Sequence, residues 1–471
     1  MKRCIFHVDV NSAFLSWSAV KKLKEDPSAL DLRTIPSAVG GDVKTRHGII
    51  TAKSIPAGRM GVKTGEPVVK ALAKCPDLVL IPSDFETYRA YSRAFIRILE
   101  KYAPVIEQVS IDEAYLDMTG TEHLFRKESA GGEPFPLCAA RVIRDEIRTS
   151  LGFTVNVGIS TNKLLAKMAS DFEKPDRTHT LYPEEVPSKM WPLPIRDLHG
   201  CGGATAARLY SLGILTIGDA AAFDEELLKS VLGEAAGAYI HRSANGISTS
   251  PVRAERDRAK SYSNERTLAE DITEDNYEGR MPEILDYLSD KVSGRLKRDH
   301  VRAATIGVIV KTGSFHRHTR QVTLERAVNA KDPIERAARG LMEDLLKGPE
   351  GLFAAGETLR LVGLSASGLD DSPFEQMSLF DLLEEQGAAG AGEAGEKEEE
   401  MPFPFLSPLP SGTAASETPP EPSPPDPAPS PPSPQEERKK RLEDMMKKVR
   451  SRYGEDALRK GSGPEAPSGN V

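Results

Sequence analysis

The sequence predicts an α+β fold of several domains followed by a disordered tail. Three features point there. A strand-like apolar run is followed at once by a helical one near the start, and the same order returns in FTVNVGIS (153–160) and TNKLLAKMASDF (161–172). A mostly helical stretch, 196–245, separates that region from a second with strand–helix–strand patterning, 258–370. From about residue 384 the composition shifts to Ala, Gly and Glu and then to Pro. Strands and helices mixed in this way suit sheets covered by helices. A length of 471 residues implies three or four domains, and a 39% hydrophobic content supplies cores for them. No repeat of solenoid period is present.

In order along the chain, CIFHVDV reads as a strand and the residues to 20 as a helix. Asp9 and Asn11 interrupt the apolar run, so the start is read as a strand and not as an export signal. EQVSIDEAYLDMTG (107–120) reads as strand apart from two adjacent acids, Asp112 and Glu113. Residues 136–151 form a helix whose apolar positions are Leu137, Ala140, Val142, Ile143, Ile147 and Leu151. AATIGVIVKT (303–312) and TLRLVGLSASGL (358–369) are strands. Fourteen prolines between Pro402 and Pro434 make residues 384–435 an extended, solvated linker. Beyond it Leu442, Met445, Met446, Val449 and Tyr453 recur at helical spacing, and Gly461 stops a short amphipathic helix over 436–461.

Charge and cysteine content narrow the classes. The net charge of −8 is uneven: residues 371–471 hold 20 of the 70 acidic and 11 of the 62 basic residues, leaving 50 and 51 for residues 1–370. The folded part is therefore close to neutral, and only its local charge distribution would reveal a nucleic-acid groove. Cys4, Cys75, Cys138 and Cys201 are far apart with no CxxC spacing, which excludes a cysteine zinc site or disulfide framework and fits a reducing cytoplasm. No apolar run is long enough to cross a membrane.

Asp112 and Glu113 carry the chemistry. Their neighbours Val109, Ile111, Ala114, Tyr115 and Leu116 call for burial, where a carboxylate costs several kcal/mol unless paired or metal-bound. Adjacent residues of a regular strand face opposite ways, so both acids serve one site only if the strand bends, as at a hairpin tip. Taken alone, the pair also fits a charged turn between two strands. Asp9 adds a third acid on an apolar strand. Three such carboxylates suit magnesium, and two ions sharing them suit in-line attack of a hydroxyl on a phosphoryl group.

HVDVNSAF, VSIDEAYLDMTG and VGISTNKLLAKMASDFEKP, in that order, resemble the Y-family DNA polymerases, the translesion enzymes related to bacterial DNA polymerase IV and UmuC. The resemblance covers about residues 1–380. It implies a right-hand polymerase: palm (1–21 and 81–175), fingers (22–80), helical thumb (176–245), linker (246–257) and an additional α/β little finger (258–370). It implies Asp9, Asp112 and Glu113 as ligands of two Mg2+ ions with the Val10 carbonyl, Phe14 as the steric gate beneath the sugar, and Thr51 and Lys167 as triphosphate contacts. Two departures stand out. Asn11 replaces a second acid common in the family, though the UmuC branch is similar there. In KSIPAGRMGV, Ser54 stands where relatives have a tyrosine, and both Lys53 and Arg59 offer positive charge.

LHGCGGATAARLYSLGI (198–214) resembles a helix–hairpin–helix motif, with Gly200 and Gly202 leaving backbone amides open to a DNA phosphate, Ala206 and Leu209 packing the helices and Gly213 ending the second. KSYSNERTL (260–268) and HTRQVTLERAVN (318–329) resemble edge strands of the little finger, with Lys260, Arg266 and Arg320 as phosphate contacts. EQMSLFD (375–381), in a 371–383 segment, fits the family's clamp-binding pattern through Gln376, Leu379 and Phe380. The function implied is low-fidelity, template-directed DNA synthesis by a monomer in DNA repair and damage tolerance, on primer-template DNA and deoxynucleoside triphosphates, with the replicative sliding clamp as partner. No four-carboxylate proofreading segment is present. The rivals are a non-catalytic scaffold on the same fold, which has no use for three costly acids, and a UmuC-like subunit that needs an activating partner.

Overall fold

The computed structural model describes residues 3–41, 48–127, 132–255 and 257–371. The clamp-type residues Gln376, Leu379 and Phe380, the proline-rich linker and the 436–461 helix lie outside the described residues.

The first sheet is built around β1 (Ile5–Val10), which is buried along its whole length and is apolar except at His7 and Asp9. The β1 residues with even numbers, Phe6, Val8 and Val10, enter a core with Trp17, Tyr88, Phe95, Ile143 and Phe153. These come largely from α1 (Ala13–Glu25), α4 (Phe85–Leu99) and α5 (Phe135–Leu151). The residues with odd numbers, Ile5, His7 and Asp9, take the other face. The strand order is β5-β6-β1-β7-β8, where β5 is Val105–Gln108, β6 Glu113–Asp117, β7 Val155–Ser160 and β8 Thr178–Thr180. Helix α6 (Lys163–Ser170) covers part of the odd face, and Gly158 of β7 lets it come close: a Cβ there would meet the Ala166 carbonyl oxygen at 2.0 Å.

Between α1 and α4 sits a small three-stranded sheet, order β3-β2-β4, from β2 (Ser37–Gly40), β3 (Ile50–Lys53) and β4 (Val79–Ile81). With α2 (Ile55–Arg59) and α3 (Val68–Lys74) it packs around Ala38, Ile50, Ala57, Val68 and Ala71. After β8 the chain forms short helical turns and then α7 (Gly203–Ser211), α8 (Ile217–Ala222), α9 (Glu225–Leu232) and α10 (Glu234–Ala244). Their core, with Ala206, Leu209, Leu228 and Ile240, runs on into Leu165 and Met168 of α6.

The last part is a four-stranded antiparallel sheet, order β11-β10-β12-β9, of β9 (Ser261–Ile272), β10 (Arg302–Thr312), β11 (Arg317–Val328) and β12 (Leu359–Asp370). Helices α11 (Glu274–Arg298) and α12 (Lys331–Leu346) cover one face through Leu285, Leu288, Val292, Ile334 and Met342. The two segments read as edge strands do lie at the two edges. Among the described residues no helix is long and apolar enough to cross a membrane.

Candidate active site

The bend that the adjacent acids require is present. β5 and β6 form a hairpin, Asp112 sits in its turn and Glu113 begins β6. The Ser110 hydroxyl shapes the turn: it donates to Asp112 Oδ1 at 2.6 Å and accepts from the amides of Asp112 and Glu113 at 3.2 and 3.1 Å. Glu113 pairs directly opposite Asp9, so the two carboxylates share a face. The Val10 amide donates to the Asp112 carbonyl at 3.0 Å, tying the turn to the end of β1. Asp9, Val10, Phe14, Thr51, Lys53, Asp112 and Glu113 together line a cleft of about 280 Å3 between the first sheet and the small three-stranded one.

Lys167 stands among the acids, 3.3 Å from Asp9 Oδ2 and 3.2 Å from Glu113 Oε1. Lys174 reaches Asp9 Oδ2 at 2.9 Å, and both lysines pair with Asp171. Burial raises the Asp112 carboxyl above its ordinary value; the Ser110 hydrogen bond opposes this, and the charges of Asp9 and Glu113 add to it. Glu113 moves the other way, to about 2, chiefly through its hydrogen bond from His7, with burial opposing and Lys167 assisting. Burial pulls the Lys167 ammonium down, but Asp9, Asp171 and Glu113 outweigh it and leave it above the usual lysine value. Among the described residues no three of His, Cys, Asp or Glu are gathered closely enough to hold a metal ion as they stand. The donor chemistry still fits a hard divalent cation: Asp9, Asp112 and Glu113 line one cleft, and the charges of Asp9 and Glu113 are met here by ammonium groups.

Phe14 lines the cleft with its ring stacked on Tyr88, centroids 4.6 Å apart and planes 11° apart. Thr51 lines the cleft while its hydroxyl donates to the Val39 carbonyl at 3.2 Å. Of the two candidate cations in this region, Lys53 faces the cleft and Arg59 is exposed at the end of α2. Ser54 is structural: it caps α2 through the Ala57 amide at 3.0 Å and donates to the Ile35 carbonyl at 2.8 Å. Asn11 is buried and not among the cleft residues. Its amide donates to Asn156 Oδ1 at 3.0 Å, and its oxygen accepts from Thr154 Oγ1 and the Asp176 amide, each at 2.9 Å. An acid there would lose the donor that Asn156 accepts, and Asn11 takes no carboxylate from the cleft.

Gly200 and Gly202 fall in the turn leading into α7, with Gly202 at its N-cap. Gly200 has φ +85°, and a Cβ would stand 2.5 Å from the Tyr239 ring, whose hydroxyl donates to the His199 carbonyl at 3.0 Å. Gly200→Ala is expected to displace Tyr239 at a cost of about 1–2 kcal/mol from the left-handed backbone alone. Primer-template binding by fluorescence anisotropy should weaken by about tenfold, equally for unrelated sequences; parental affinity would show that this turn makes no phosphate contact. A larger cavity, about 600 Å3, lies between the β5–β6 hairpin and α10 and is lined by Glu107, Tyr115, Lys163, His199, Tyr239 and Arg242 among others.

Lys260 is exposed just before β9. Cross-strand partners share a face, so Arg266, opposite Val362, and Arg320, opposite Val308, lie on the helix-bearing side of their sheet. Arg266 rests 5.3 Å from the Tyr287 ring of α11. The open face carries Ser263, Glu265, Thr319, Gln321 and Ser365, with Glu265 paired to Arg317 at 2.6 Å. Sequence reasoning missed His7, Ser110, Lys174 and the cleft position of Lys53. The second lysine of KMASDFEK was the one readable signal, at seven residues from Lys167.

Family models match three parts of the chain: the impB/mucB/samB family over residues 8–171, the IMS family HHH motif over 183–214, and the impB/mucB/samB family C-terminal domain over 259–379. DNA polymerase IV of Clostridium acetobutylicum is 39% identical over 381 residues, covering 81% of this chain and 91% of the relative. DNA polymerase IV 1 of Bacillus subtilis is 36% identical over 389 residues, 81% of this chain and 86% of the relative. A solved Y-family DNA polymerase chimera superposes with a TM-score of 0.64 at 25% identity, over 78% of this chain and all of that one. Sequence identity across nearly the whole length of these relatives, together with the shared architecture, makes this chain a member of the Y family of DNA polymerases.

Proposed function

We propose that this chain is a template-directed, low-fidelity translesion DNA polymerase that extends primers by magnesium-dependent phosphoryl transfer in DNA repair and damage tolerance. The observation that carries the reading is the convergence of Asp9, Asp112 and Glu113 on one cleft that also holds Phe14 and Lys53. In this reading the three carboxylates and the Val10 carbonyl hold two Mg2+ ions. Bound there, the ions supply a more acidic primer hydroxyl and neutralise charge on the leaving pyrophosphate. The protein does the rest by position. Lys167 keeps its ammonium beside the reacting phosphates, and Lys53 and Thr51 face them from the small sheet. Phe14 closes the sugar side. The large cavity beside the hairpin receives the primer end, and the turn at Gly200 and Gly202 follows its backbone. Lys260 serves the duplex from the start of β9. Arg266 and Arg320 reach it around the sheet's two edges from the helix-bearing side, while the open face offers Ser263, Thr319, Gln321 and Ser365.

The domain assignment follows: palm 1–21 and 81–175, fingers 22–80, thumb 176–245, linker 246–257 and little finger 258–370, in a cytoplasmic monomer. Primer extension by the purified protein alone, with Mg2+, tests it. Distributive addition of deoxynucleotides, continuing past damaged template, is expected. Extension only after a second protein is added would favour the UmuC-like alternative, and none under any condition the scaffold.

Gln376, Leu379 and Phe380 form the proposed contact with the sliding clamp. Adjacent Leu and Phe flanked by the acids Glu375 and Asp381 need a pocket to offset the entropy of ordering the segment. Leu379→Ala with Phe380→Ala should abolish clamp binding in isothermal titration and leave clamp-free synthesis unchanged, while truncation after Glu385 should retain binding. Parental affinity of the double variant would place the contact elsewhere.

A further inference from the structure

His7 is fully buried in the middle of β1, a position where an apolar side chain would be cheaper. Its imidazole is bonded at both ends: Nε2 lies 3.3 Å from Glu113 Oε2 and Nδ1 2.8 Å from Ser170 Oγ. The Tyr115 ring, at 4.7 Å between centroids, packs beside it. A carboxylate only accepts, so Nε2 carries the proton and donates to Glu113. Nδ1 then accepts, and the Ser170 hydroxyl is the donor that faces it; that hydroxyl can alternatively donate to the Lys167 carbonyl at 2.8 Å. The result is a directed chain from α6 through β1 to β6: Ser170 to His7 to Glu113.

We propose that His7 is a positioning residue that holds Glu113 Oε2 from behind, so that Oε1 is presented to the cleft, where Lys167 now meets it at 3.2 Å. A glutamate side chain is rich in rotamers, and fixing it costs conformational entropy. Supplying that order in the folded protein leaves less to be lost when the site is loaded. Hydrogen bonds of this kind behind a metal ligand are worth about 10–100-fold in metal affinity or activity. The inference rests on Glu113 being a ligand, as proposed above.

The test compares His7→Phe, His7→Gln and Ser170→Ala with the parent and with Glu113→Ala. The readouts are single-nucleotide incorporation and Mn2+ binding to the protein on a dideoxy-terminated primer-template, followed by electron paramagnetic resonance. His7→Phe should lower kcat by about 10–100-fold with KM for the nucleotide within about threefold, and weaken Mn2+ binding about tenfold. His7→Gln, whose amide can replace the Nε2 donor, should recover most of both. Ser170→Ala should shift both in the same direction by a smaller factor. Parental kcat and Mn2+ affinity in His7→Phe, or a His7→Gln no better than His7→Phe, overturns the proposal while an inactive Glu113→Ala leaves the ligand assignment standing. If Glu113→Ala itself keeps parental activity, the ligand assignment fails first. Should His7→Phe not fold, Ser170→Ala decides: parental values there overturn the positioning role.

Discussion

Asp112→Ala or Glu113→Ala lowers nucleotide addition by about three orders of magnitude or more, equivalent to about 4 kcal/mol of transition-state stabilisation, and leaves primer-template affinity within about threefold. The separation of the two effects is what makes the result informative. In the proposed reading the carboxylates hold the ions at the transferring phosphoryl group, where charge changes during the reaction. In the same reading, affinity for primer-template comes from contacts spread along the backbone, at the Gly200 turn and on the last sheet. The two acids also differ in surroundings. Asp112 is held by Ser110 in the hairpin turn, whereas Glu113 is bonded by His7 and Lys167. Removing Asp112 leaves a Ser110 hydroxyl that still accepts from the Glu113 amide, so the turn survives. Removing Glu113 leaves the buried His7 without an acceptor and Lys167 with Asp9 and Asp171 only. Glu113→Ala is therefore expected to lose more thermal stability than Asp112→Ala, though both lose activity. Single-turnover incorporation with Mg2+ and anisotropy on the same substrate measure the two quantities. Extension at the parental rate by either variant would remove that acid from the chemistry.

The strands and helices of the first region were readable because their burial is simple. β1 is covered on both faces and is apolar except at His7 and Asp9, and α5 shows its apolar stripe at helical spacing. The acids stood out for the same reason: Asp9, Asp112 and Glu113 interrupt runs that otherwise demand burial. His7 interrupts the same strand as Asp9, yet nothing local distinguishes a histidine bonded at both nitrogens from one that merely fills space. Its partners are 106 and 163 residues away in the chain. Lys174 was hidden similarly, since its bond to Asp9 spans 165 residues. Arg266 and Arg320 illustrate another limit. Alternation shows that a strand has two faces, but only the register against β10 and β12 says which face the helices cover. Asn11 was legible as a departure from the family pattern. Its meaning needed the structure, because its side chain is spent on Asn156, Thr154 and the Asp176 amide.

Phe14→Ala admits ribonucleotides, raising their incorporation relative to deoxynucleotides by about 100-fold, the scale on which a pocket discriminates a single added hydroxyl. The argument depends on the ring being unable to yield. Ser12 turns the chain sharply at φ 46°, and α1 begins one residue before Phe14. The ring is then boxed by other aromatics: stacked on Tyr88, edge-on to Phe85 at 6.0 Å and tilted against Trp17 at 6.1 Å. Tyr88 is itself buried, and its hydroxyl is bonded to Ser18 at 2.9 Å, so the stack has a fixed base. A 2′-hydroxyl pressed against such a ring cannot be accommodated by a rotamer change in the protein, and overpacking of this kind costs about 1–3 kcal/mol. Alanine removes the obstacle without touching Asp9, Asp112 or Glu113, so kcat for deoxynucleotides should fall by less than about tenfold. The neighbouring Leu15 offers no substitute gate, because it is fully buried against Leu32, Val39 and Ala52. Parallel single-turnover assays with ribo- and deoxynucleotides read the ratio directly. An unchanged ratio would mean that the sugar does not pass beneath Phe14, and the nucleotide would then have to enter the cleft from the Thr51 and Lys53 side in a different orientation.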